Sequence, residues 1–262
     1  MNLKNKTILV TGASSGLGEQ ICYEAAKKGA IVIVCARRIQ LIGQVKEKCS
    51  ELSQNDAYAF QLDISDPQSI ERVYEKVKEE VGSVDYLVND AGFGYYEDFV
   101  AFEQAKIREM FEVNVLGLML LTQRVAIDML EAKKGHIINV SSMAGKMATP
   151  KSSVYSATKF AVLGFSNALR LELKPFGINV TTVNPGPIQT EFFDKADPSG
   201  NYLAQVGALA IKPDKLATKI VKQMNHPKRE INQPVIMEFA ARAYQLFPKV
   251  GDFLAGGIFN QK

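Results

Sequence analysis

A short apolar run that leads into a glycine-rich turn constrains this chain more than any other feature. Residues 8–10 are apolar, and Gly12, Gly16 and Gly18 follow before a helix-compatible segment. A buried strand that turns sharply into a helix directs unpaired N–H groups and the helix dipole at one point, which suits a phosphate. Glycine fits there because a Cβ would keep a pyrophosphate away from the backbone. The G-x-x-x-G-x-G spacing, with no Lys-Ser/Thr after it, excludes a nucleotide-hydrolase phosphate loop. The alternative interpretation is a glycine-rich turn without a ligand.

Apolar runs typical of buried strands alternate with helical periodicity along most of the chain. Strands are predicted at residues 8–11, 31–35, 57–62, 84–89, 135–140 and 178–183. Asp66 and Pro67 predict a helix start and Gly82 predicts its end, and residues 102–132 hold two helix-like stretches. This alternation predicts an α/β fold: a doubly wound, Rossmann-like parallel sheet of about seven strands with helices on both faces. We expect one dinucleotide-binding and catalytic domain over residues 1–262.

Composition narrows the class of protein further. The net charge of +3 is small and no basic stripe is interleaved with aromatics, so nucleic acid is not expected as a partner. With two histidines and three cysteines, a metal site or a histidine-based triad is not expected. The cysteines are typical of reduced thiols in a cytoplasmic protein. The longest apolar run, at 115–121, is much shorter than the roughly 20 residues of a membrane span, and we expect no signal peptide or integral membrane segment.

The residues after the predicted strands are small, polar or glycine. In a doubly wound sheet, ligands bind outside the carboxyl ends of the strands. Those ends carry residues 12–18, 35–38, Asp63, 89–92, 141–142 and 184–190. Such a set is what a cofactor cleft requires.

The end of the second strand indicates which dinucleotide binds. Dinucleotide-binding folds that prefer NAD usually carry an acidic residue there, which binds the ribose 2′-hydroxyl. This strand instead runs into Arg37 and Arg38, and a guanidinium matches a phosphate bidentately. We therefore predict NADP(H) as the cofactor. The alternative is that both arginines belong to a solvated helix start.

Tyr155 and Lys159 are the candidate proton-transfer pair. Their spacing places them on one face of a helix, although Tyr23 and Tyr74 also have a lysine four residues on, in charged surroundings that indicate solvent-facing pairs. Tyr155 differs because it lies at a predicted helix start after the fifth strand, whose end carries Ser142. A tyrosine, a lysine and a serine can thus meet around one carbonyl group. A tyrosine packed in the core beside a snorkelling lysine is the alternative.

A phenol needs help to exchange protons near neutral pH. Its ordinary pKa is about 10, so lowering it to about 7 requires roughly 4 kcal/mol. One ammonium about 4 Å away supplies roughly 4 kcal/mol at an effective dielectric of about 20, and the positive ring of an oxidised nicotinamide would add to this. A lysine-assisted tyrosine can therefore act as the general acid or base.

Together these motifs resemble the short-chain dehydrogenase/reductase family in its short form, over residues 5 to about 190. TGASSGLG at 11–18 is similar to the family's cofactor loop, and NDAG at 89–92 resembles its N-N-A-G element, with Asp90 in place of the usual second asparagine. The resemblance identifies Asn114, Ser142, Tyr155 and Lys159 as the catalytic set.

The resemblance also implies individual roles for the cofactor site. Asn114 would hold a water that links Lys159 to solvent, and Lys159 would also bind the nicotinamide ribose. Asp63 with Ile64 would flank the adenine, and PGPIQT at 185–190 would hold the carboxamide through Ile188 and Thr190. The cofactor-binding residues predicted in all are Gly12, Ser14, Ser15, Gly16, Leu17, Gly18, Arg37, Arg38, Asp63, Ile64, Asn89, Ala91, Gly92, Tyr155, Lys159, Pro185, Gly186, Ile188 and Thr190.

Beyond residue 190 the resemblance is generic. Residues 187–213 occupy the place of the family's mobile substrate lid. The predicted substrate contacts are Ser142, Met143, Tyr155, Phe192 and Phe193; Phe93, Tyr95 and Met147 flank the site, and lid residues Tyr202, Leu203, Val206 and Leu209 either line the pocket or pack ordinarily. These side chains favour an apolar carbonyl substrate. The apolar tail at 238–262 is expected to form a helix pair against the lid or a neighbouring subunit, with membrane-surface binding as the alternative.

The function predicted is hydride transfer between NADP(H) and a ketone, aldehyde or alcohol with an apolar body. A catalytically idle, NADP-sensing binding protein on the same fold is the alternative. A nucleotide-sugar epimerase uses a similar tyrosine and lysine, but too few residues follow Pro185 for its substrate domain. The resemblance implies a homodimer or homotetramer built on helices near residues 101–125 and 155–173.

Overall fold

Within the described residues, seven parallel strands form one sheet through the middle of the molecule. The computed structural model describes residues 2–197, 207 and 210–256, the last three of these by backbone alone. The strands are β1 Thr7–Thr11, β2 Ile31–Ala36, β3 Tyr58–Gln61, β4 Tyr86–Asn89, β5 Gly135–Val140, β6 Ile178–Pro185 and β7 Glu230–Gln233. Their order is β3-β2-β1-β4-β5-β6-β7. The order reverses direction between β1 and β4, and such a switch point opens a crevice at the carboxyl ends of the strands.

Helices connect the strands and cover both faces of the sheet. In chain order they are α1 Gly16–Ala26, α2 Ile39–Ser53, α3 Pro67–Glu80, α4 Gln104–Phe111, α5 Leu118–Ala132, α6 Ser153–Leu173, α7 Phe192–Ala196, α8 Pro213–Gln223, α9 Val235–Leu246 and α10 Pro248–Gly256. A π-helical turn at Glu112–Gly117 joins α4 to α5. Asp66 caps α3 as predicted, because its Oδ1 accepts the N–H of Gln68 at 2.9 Å.

The alternation of side chains along the strands explains why these segments read as continuous apolar runs. Ile8 and Val10 of β1 point into one core cluster, which α1 and α8 cover. Leu9 points into the other, which α3 and α5 cover. A strand buried on both faces needs apolar residues at every position.

The predicted strands all occur, with ends that shift by one or two residues. The third strand, predicted at 57–62, is Tyr58–Gln61, and the fourth, predicted at 84–89, is Tyr86–Asn89. The first helix begins at Gly16, inside the glycine motif rather than after it. The sequence did not locate β7, since Glu230–Gln233 is an edge strand with mixed polarity and no apolar run.

The prediction that Tyr74 faces solvent is wrong. Its side chain is 1% exposed, and its hydroxyl donates to Asp128 Oδ2 at 2.7 Å. Tyr74 belongs to the apolar face of α3 and packs in the same core cluster as α5. The lysine one turn on, Lys78, does reach the surface and pairs with the same carboxylate at 3.3 Å.

One helical segment of the described chain, Gln104–Ala132, meets the length and hydropathy expected of a membrane span. It has 29 residues, and an 18-residue window within it has a mean hydropathy of 1.4 and is 56% buried. Leu121, Val125 and Met129 pack against the sheet in the core. The segment therefore occupies the position of a core helix, which gives the same pattern.

Candidate active site

Two adjoining cavities open at the carboxyl ends of the strands. The first, of about 370 Å³, is lined by the predicted residues Gly12, Ser15, Gly16, Leu17, Arg38, Gly92, Ser142, Met143, Tyr155, Lys159, Pro185, Gly186, Ile188, Thr190, Phe192 and Phe193. The second, of about 330 Å³, is lined by Gly12, Ser14, Ser15, Arg37, Arg38, Asp63, Ile64, Ala91 and Gly92. Gly12, Ser15, Arg38 and Gly92 border both, so the cavities form one elongated cleft along the glycine loop.

The glycine loop is packed so closely that side chains would not fit. Gly12 has a φ of +69°, and a Cβ on it would lie 2.8 Å from the backbone of Ala91. Gly16 has a φ of +63°, and its Cβ would approach Thr190 Cγ2 at 3.3 Å. A Cβ on Gly18 would lie 2.8 Å from the carbonyl oxygen of Gly12. Ser15, the N-cap of α1, makes no side-chain bond to the helix, so the start of α1 retains donors for an anion.

Arg38 lies at the end of β2 and reaches across to the glycine loop. Its Nη2 donates to Ser14 Oγ at 2.9 Å and to Ser15 Oγ at 2.7 Å, and its Nε donates to Ser14 Oγ at 3.2 Å. Its Nη1 lies 3.7 Å from Glu191 Oε2. Arg37 lines the second cavity beside it. The guanidinium therefore lies beside the glycine loop on the border of both cavities, where it can bind an anion.

Asp63 and Ile64 line the far end of the second cavity. The Asp63 carboxylate accepts the Ser65 hydroxyl at 2.6 Å and the Ser65 N–H at 3.0 Å. The hydroxyl bond is the main reason why the pKa of Asp63 is lowered. Ile64 is held from behind by the π-helical turn, since Gly117 contacts its carbonyl so closely that a Cβ would clash. An ionised, fixed carboxylate beside an apolar side chain suits a nucleoside.

Tyr155 and Lys159 stand one turn apart near the start of α6, and both are buried, at 7% and 5% exposure. Lys159 Nζ donates to the carbonyl of Val140 at 3.0 Å and lies 5.8 Å from the centre of the Tyr155 ring. Ser142 caps the 3-10 turn Met143–Gly145, where its Oγ accepts the N–H of Ala144 at 3.1 Å. That hydroxyl also donates to the carbonyl of Pro185 at 3.4 Å. Serine, tyrosine and lysine therefore share the wall of the first cavity.

Burial brings the ionisation of Lys159 close to neutral pH. Removal from water lowers its pKa to about 8, against the opposing effect of the Asp90 carboxylate. Burial also raises the pKa of Asp90 to about 7, although Lys159 and the N–H of Gly18 both oppose the shift. The lysine is therefore mostly cationic at neutral pH and loses its proton in mild alkali.

Three predicted site residues lie behind the cavities instead of on their surface. Asn114, 1% exposed, donates to the carbonyl of Phe93 at 2.8 Å and to Thr158 Oγ1 at 3.1 Å. It adjoins Lys159 across Gly92, where a Cβ would lie 3.1 Å from Asn114 Oδ1 and 3.5 Å from Lys159 Nζ.

The other two are Asn89 and Gly18. Asn89, 2% exposed, donates to Thr122 Oγ1 at 2.8 Å and to Asn139 Oδ1 at 2.9 Å. Its side chain thus fastens β4 to β5 and α5, a place different from the cofactor contact predicted for it. Gly18 lies within α1, where its N–H donates to Asp90.

The prediction that Tyr95 flanks the site is wrong. Tyr96, not Tyr95, lines the first cavity, with its ring 5.9 Å from that of Tyr155. Tyr95 instead packs under Lys195 and Lys106, 4.8 and 5.2 Å from its ring centre. The segment between β4 and α4 is irregular, so no periodicity could assign its side chains to a face. Phe93 and Met147 line the cavity as predicted.

Three residues that were not predicted as site residues also border the first cavity: Asp90, Lys195 and Met237. Asp90 could have been suspected, because it departs from the usual motif. Lys195 lies 3.7 Å from the ring centre of Phe93 and pairs with Glu109 at 3.4 Å. Met237 lies far along the chain and outside any motif, so the sequence held no signal for it.

The lid and the tail are described only in part. Ile188 and Ile211 pair in an isolated bridge that closes the base of the lid, and α7 contributes Phe192, whose ring lies 5.6 Å from that of Tyr155. The predicted lid residues Tyr202, Leu203, Val206 and Leu209 lie outside the described residues. The tail forms the helix pair α9–α10, and Phe239, Leu246, Phe247 and Phe253 on it are 64–76% exposed.

The short chain dehydrogenase family model matches residues 6–200. The chain therefore belongs to the short-chain dehydrogenase/reductase family. The predicted family and the predicted doubly wound fold are both confirmed.

Two curated relatives illustrate the sequence likeness. The chain is 36% identical over 198 residues to dehydrogenase/reductase SDR family member 7 of Homo sapiens, and the match covers 74% of this chain and 58% of the human protein. It is 33% identical over 203 residues to farnesol dehydrogenase of Aedes aegypti, with 75% and 83% covered. The match thus spans less than two thirds of the human relative's length.

Two solved structures illustrate the likeness in fold. A short-chain dehydrogenase from Sphingobium yanoikuyae in complex with NADPH superposes with a TM-score of 0.81 at 26% identity, over 95% of each chain. A short chain dehydrogenase/reductase from Burkholderia phymatum in complex with NAD superposes with a TM-score of 0.87, over 95% of this chain and 96% of that one. The second is only 19% identical, so its likeness concerns the fold alone.

Proposed function

We propose that this protein is an NADP(H)-dependent oxidoreductase that reduces a ketone or aldehyde with an apolar body, or oxidises the corresponding alcohol. The observation that carries the proposal is the meeting of Ser142, Tyr155 and Lys159 on the wall of one cavity that continues along the glycine loop to Arg38. A binding protein would need the loop but not the three polar side chains.

Each catalytic side chain has one task in this proposal. Bound NADPH supplies the hydride that the carbonyl carbon receives. Tyr155 donates the proton to the carbonyl oxygen, and Ser142 donates a hydrogen bond that orients the same oxygen. The Nζ of Lys159 lies 5.8 Å from the centre of the Tyr155 ring, and its positive charge favours the ionised form of the phenol. Lys159 thereby helps Tyr155 to release its proton.

The preference for NADP(H) rests on the residues after β2. Arg38 presents its guanidinium to Ser14 and Ser15 at the loop, and no carboxylate ends β2 to receive a ribose 2′-hydroxyl. One structural neighbour was solved with NADPH and another with NAD. The choice therefore depends on the arginines of this chain.

The apolar body of the substrate follows from the lining of the first cavity. Met143, Met147, Phe192, Phe193 and Tyr96 contribute carbon and sulfur surface around Tyr155. Burial of apolar area there would supply the binding free energy of the substrate. The mosquito relative is named for farnesol, a substrate of this kind.

A screen of ketones and aldehydes of graded size, with NADPH and NADH compared by absorbance, tests the proposal. We expect turnover with apolar carbonyls and a higher kcat/KM for NADPH. A clear preference for NADH would contradict the cofactor assignment. Tight NADPH binding without turnover of any carbonyl would favour the idle, NADP-sensing alternative.

We also propose a homodimer or homotetramer in the cytoplasm. Exposed apolar side chains on α5, α6 and the π-helical turn, among them Leu116, Leu120, Phe160 and Leu171, would be covered by a second copy. Sedimentation velocity of the purified protein tests this, and a monomer at micromolar concentration would contradict it. The location rests on three buried free cysteines, which suit a reducing compartment, and cell fractionation tests it.

A further inference from the structure

A buried group of charges lies directly behind the turn that carries Ser142. Lys146 is 7% exposed, and its Nζ donates to Glu230 Oε2 at 2.5 Å and to Glu238 Oε2 at 2.7 Å. Glu230 belongs to β7 and Glu238 to α9. The proton transfer proposed above uses none of the three, so their burial calls for another explanation.

These charges fasten α9 to the serine-bearing turn. The N–H of Lys146 donates to the carbonyl of Met143 at 2.9 Å, which ties the lysine to the 3-10 turn. The outer oxygen of Glu238 pairs with Arg242 at 2.8 Å on the protein surface. Moving α9 away from the turn would separate the Glu238 carboxylate from Lys146, which costs free energy because both groups are largely buried. This contact therefore holds α9 beside the turn that carries Ser142.

The residue before Glu238 on α9 borders the first cavity. Met237 shares that lining with Ser142, Tyr155 and Met143. Its Sδ lies 2.6 Å from the place of a Cβ on Gly186, so its side chain fills the space that this glycine leaves open. Gly186 belongs to the segment after β6 for which a nicotinamide contact is predicted. Met237 thus contacts that segment and borders the space for the substrate.

We propose that Met237 is a specificity-determining residue that limits the apolar body of the substrate, and that the Lys146–Glu238 ion pair is the contact that positions it. The proposal rests on the carbonyl reduction proposed above. A thioether chain is unbranched and polarizable, so it packs against apolar groups of varied shape. Its length fixes how much of the cavity is left for the substrate.

Kinetics with a series of straight-chain methyl ketones tests the role of Met237. The measured quantity is the ratio of kcat/KM for a long ketone to that for a short one, with NADPH. Met237→Ala should raise this ratio roughly tenfold and Met237→Phe should lower it by a similar factor, as expected for a few methylene-sized contacts. The matched control is Ile236→Ala on the same helix, where the side chain is 63% exposed, and its ratio should stay at the wild-type value.

A double-mutant cycle tests the role of the ion pair. Glu238→Ala should move the ratio in the same direction as Met237→Ala, whereas the control Arg242→Ala, which leaves the Lys146 contact in place, should not. If Glu238 acts through Met237, adding Glu238→Ala to Met237→Ala should change the ratio no further. An unmoved ratio in Glu238→Ala, or a fully additive shift in the double variant, would overturn the positioning role.

The outcomes separate this proposal from the proposed function. Turnover by the wild-type protein, with Met237→Ala and Met237→Phe both at the wild-type ratio, would contradict the role of Met237 alone. If the wild-type protein turns over no ketone in the series, carbonyl reduction is contradicted and the role of Met237 with it. NADPH affinity measured on every variant shows whether its cofactor cleft is intact.

Discussion

Replacement of Arg38 by alanine is the sharpest test of the cofactor assignment. The guanidinium lies over the glycine loop, where it donates three hydrogen bonds to the hydroxyls of Ser14 and Ser15. A ribose 2′-phosphate at that place would accept hydrogen bonds from the same donors, and its negative charge would pair with the positive guanidinium. NADH carries no such phosphate, so its affinity should depend little on Arg38.

The expected loss of NADPH binding free energy follows from the number and the exposure of these hydrogen-bond donors. A hydrogen bond to a charged group contributes about 1.5–3 kcal/mol net. The Arg38 side chain is 52% exposed, and exposed ion pairs contribute at most about 1 kcal/mol, so we expect a loss near the lower end, about 1.5–2 kcal/mol. That corresponds to a Kd for NADPH about 10- to 30-fold weaker. The Kd for NADH should change by less than about threefold, since no charge-assisted bond is lost.

Fluorescence titration of both reduced nucleotides against wild type and Arg38→Ala measures the effect. The matched control is Lys46→Ala, which removes a cation from the exposed face of α2, the helix that follows Arg38, away from both cavities. An equal loss of affinity for NADPH and NADH would refute the reasoning, because it would mean that Arg38 only supports the loop. An unchanged Kd for NADPH would refute it as well.

Three further predictions concern pH and stability. Because the pKa of Lys159 is lowered to about 8, its charge disappears as the pH rises through that value. The kcat/KM should therefore decline above that pH. A pH-rate profile that still rises at higher pH would contradict the role of Lys159. Gly12→Ala should abolish folding or cofactor binding because its Cβ would lie 2.8 Å from Ala91, whereas Gly43→Ala in α2, with open space around it, should add up to about 1 kcal/mol in urea unfolding. Tyr74→Phe should cost about 1–2 kcal/mol of unfolding free energy through the lost bond to the Asp128 carboxylate and leave kcat unchanged.

The sequence predicted those parts of the site that are local. The glycine loop lies within one strand–turn–helix unit, and Tyr155 and Lys159 lie within one helical turn, so spacing alone brings their atoms together. The apolar strands were equally visible, because burial on both faces requires apolar residues throughout. The strand-end rule then located the cleft.

What the sequence missed depends on contacts between distant segments. The polarity of Asn89 suited a cofactor contact, but the register of β4 against β5 pairs it with Asn139, and its amide nitrogen donates to Asn139 and Thr122. The placement of Met237 depends on a lysine 91 positions earlier in the chain, which bonds the neighbouring Glu238. The charged residues around Tyr74 in the sequence indicated a surface position, but α5 covers its side chain. No local pattern encodes such pairings.

The kinetics of Tyr155→Phe measure the central claim most directly, because the change removes one hydroxyl and keeps the ring that packs against Tyr96 and Phe192. We predict that kcat for NADPH-dependent ketone reduction falls about 10²- to 10⁴-fold, while the Kd for NADPH stays within about twofold because no charge-assisted bond to the phosphates is lost. A variant that retains wild-type kcat would contradict the assignment of Tyr155 as the proton donor.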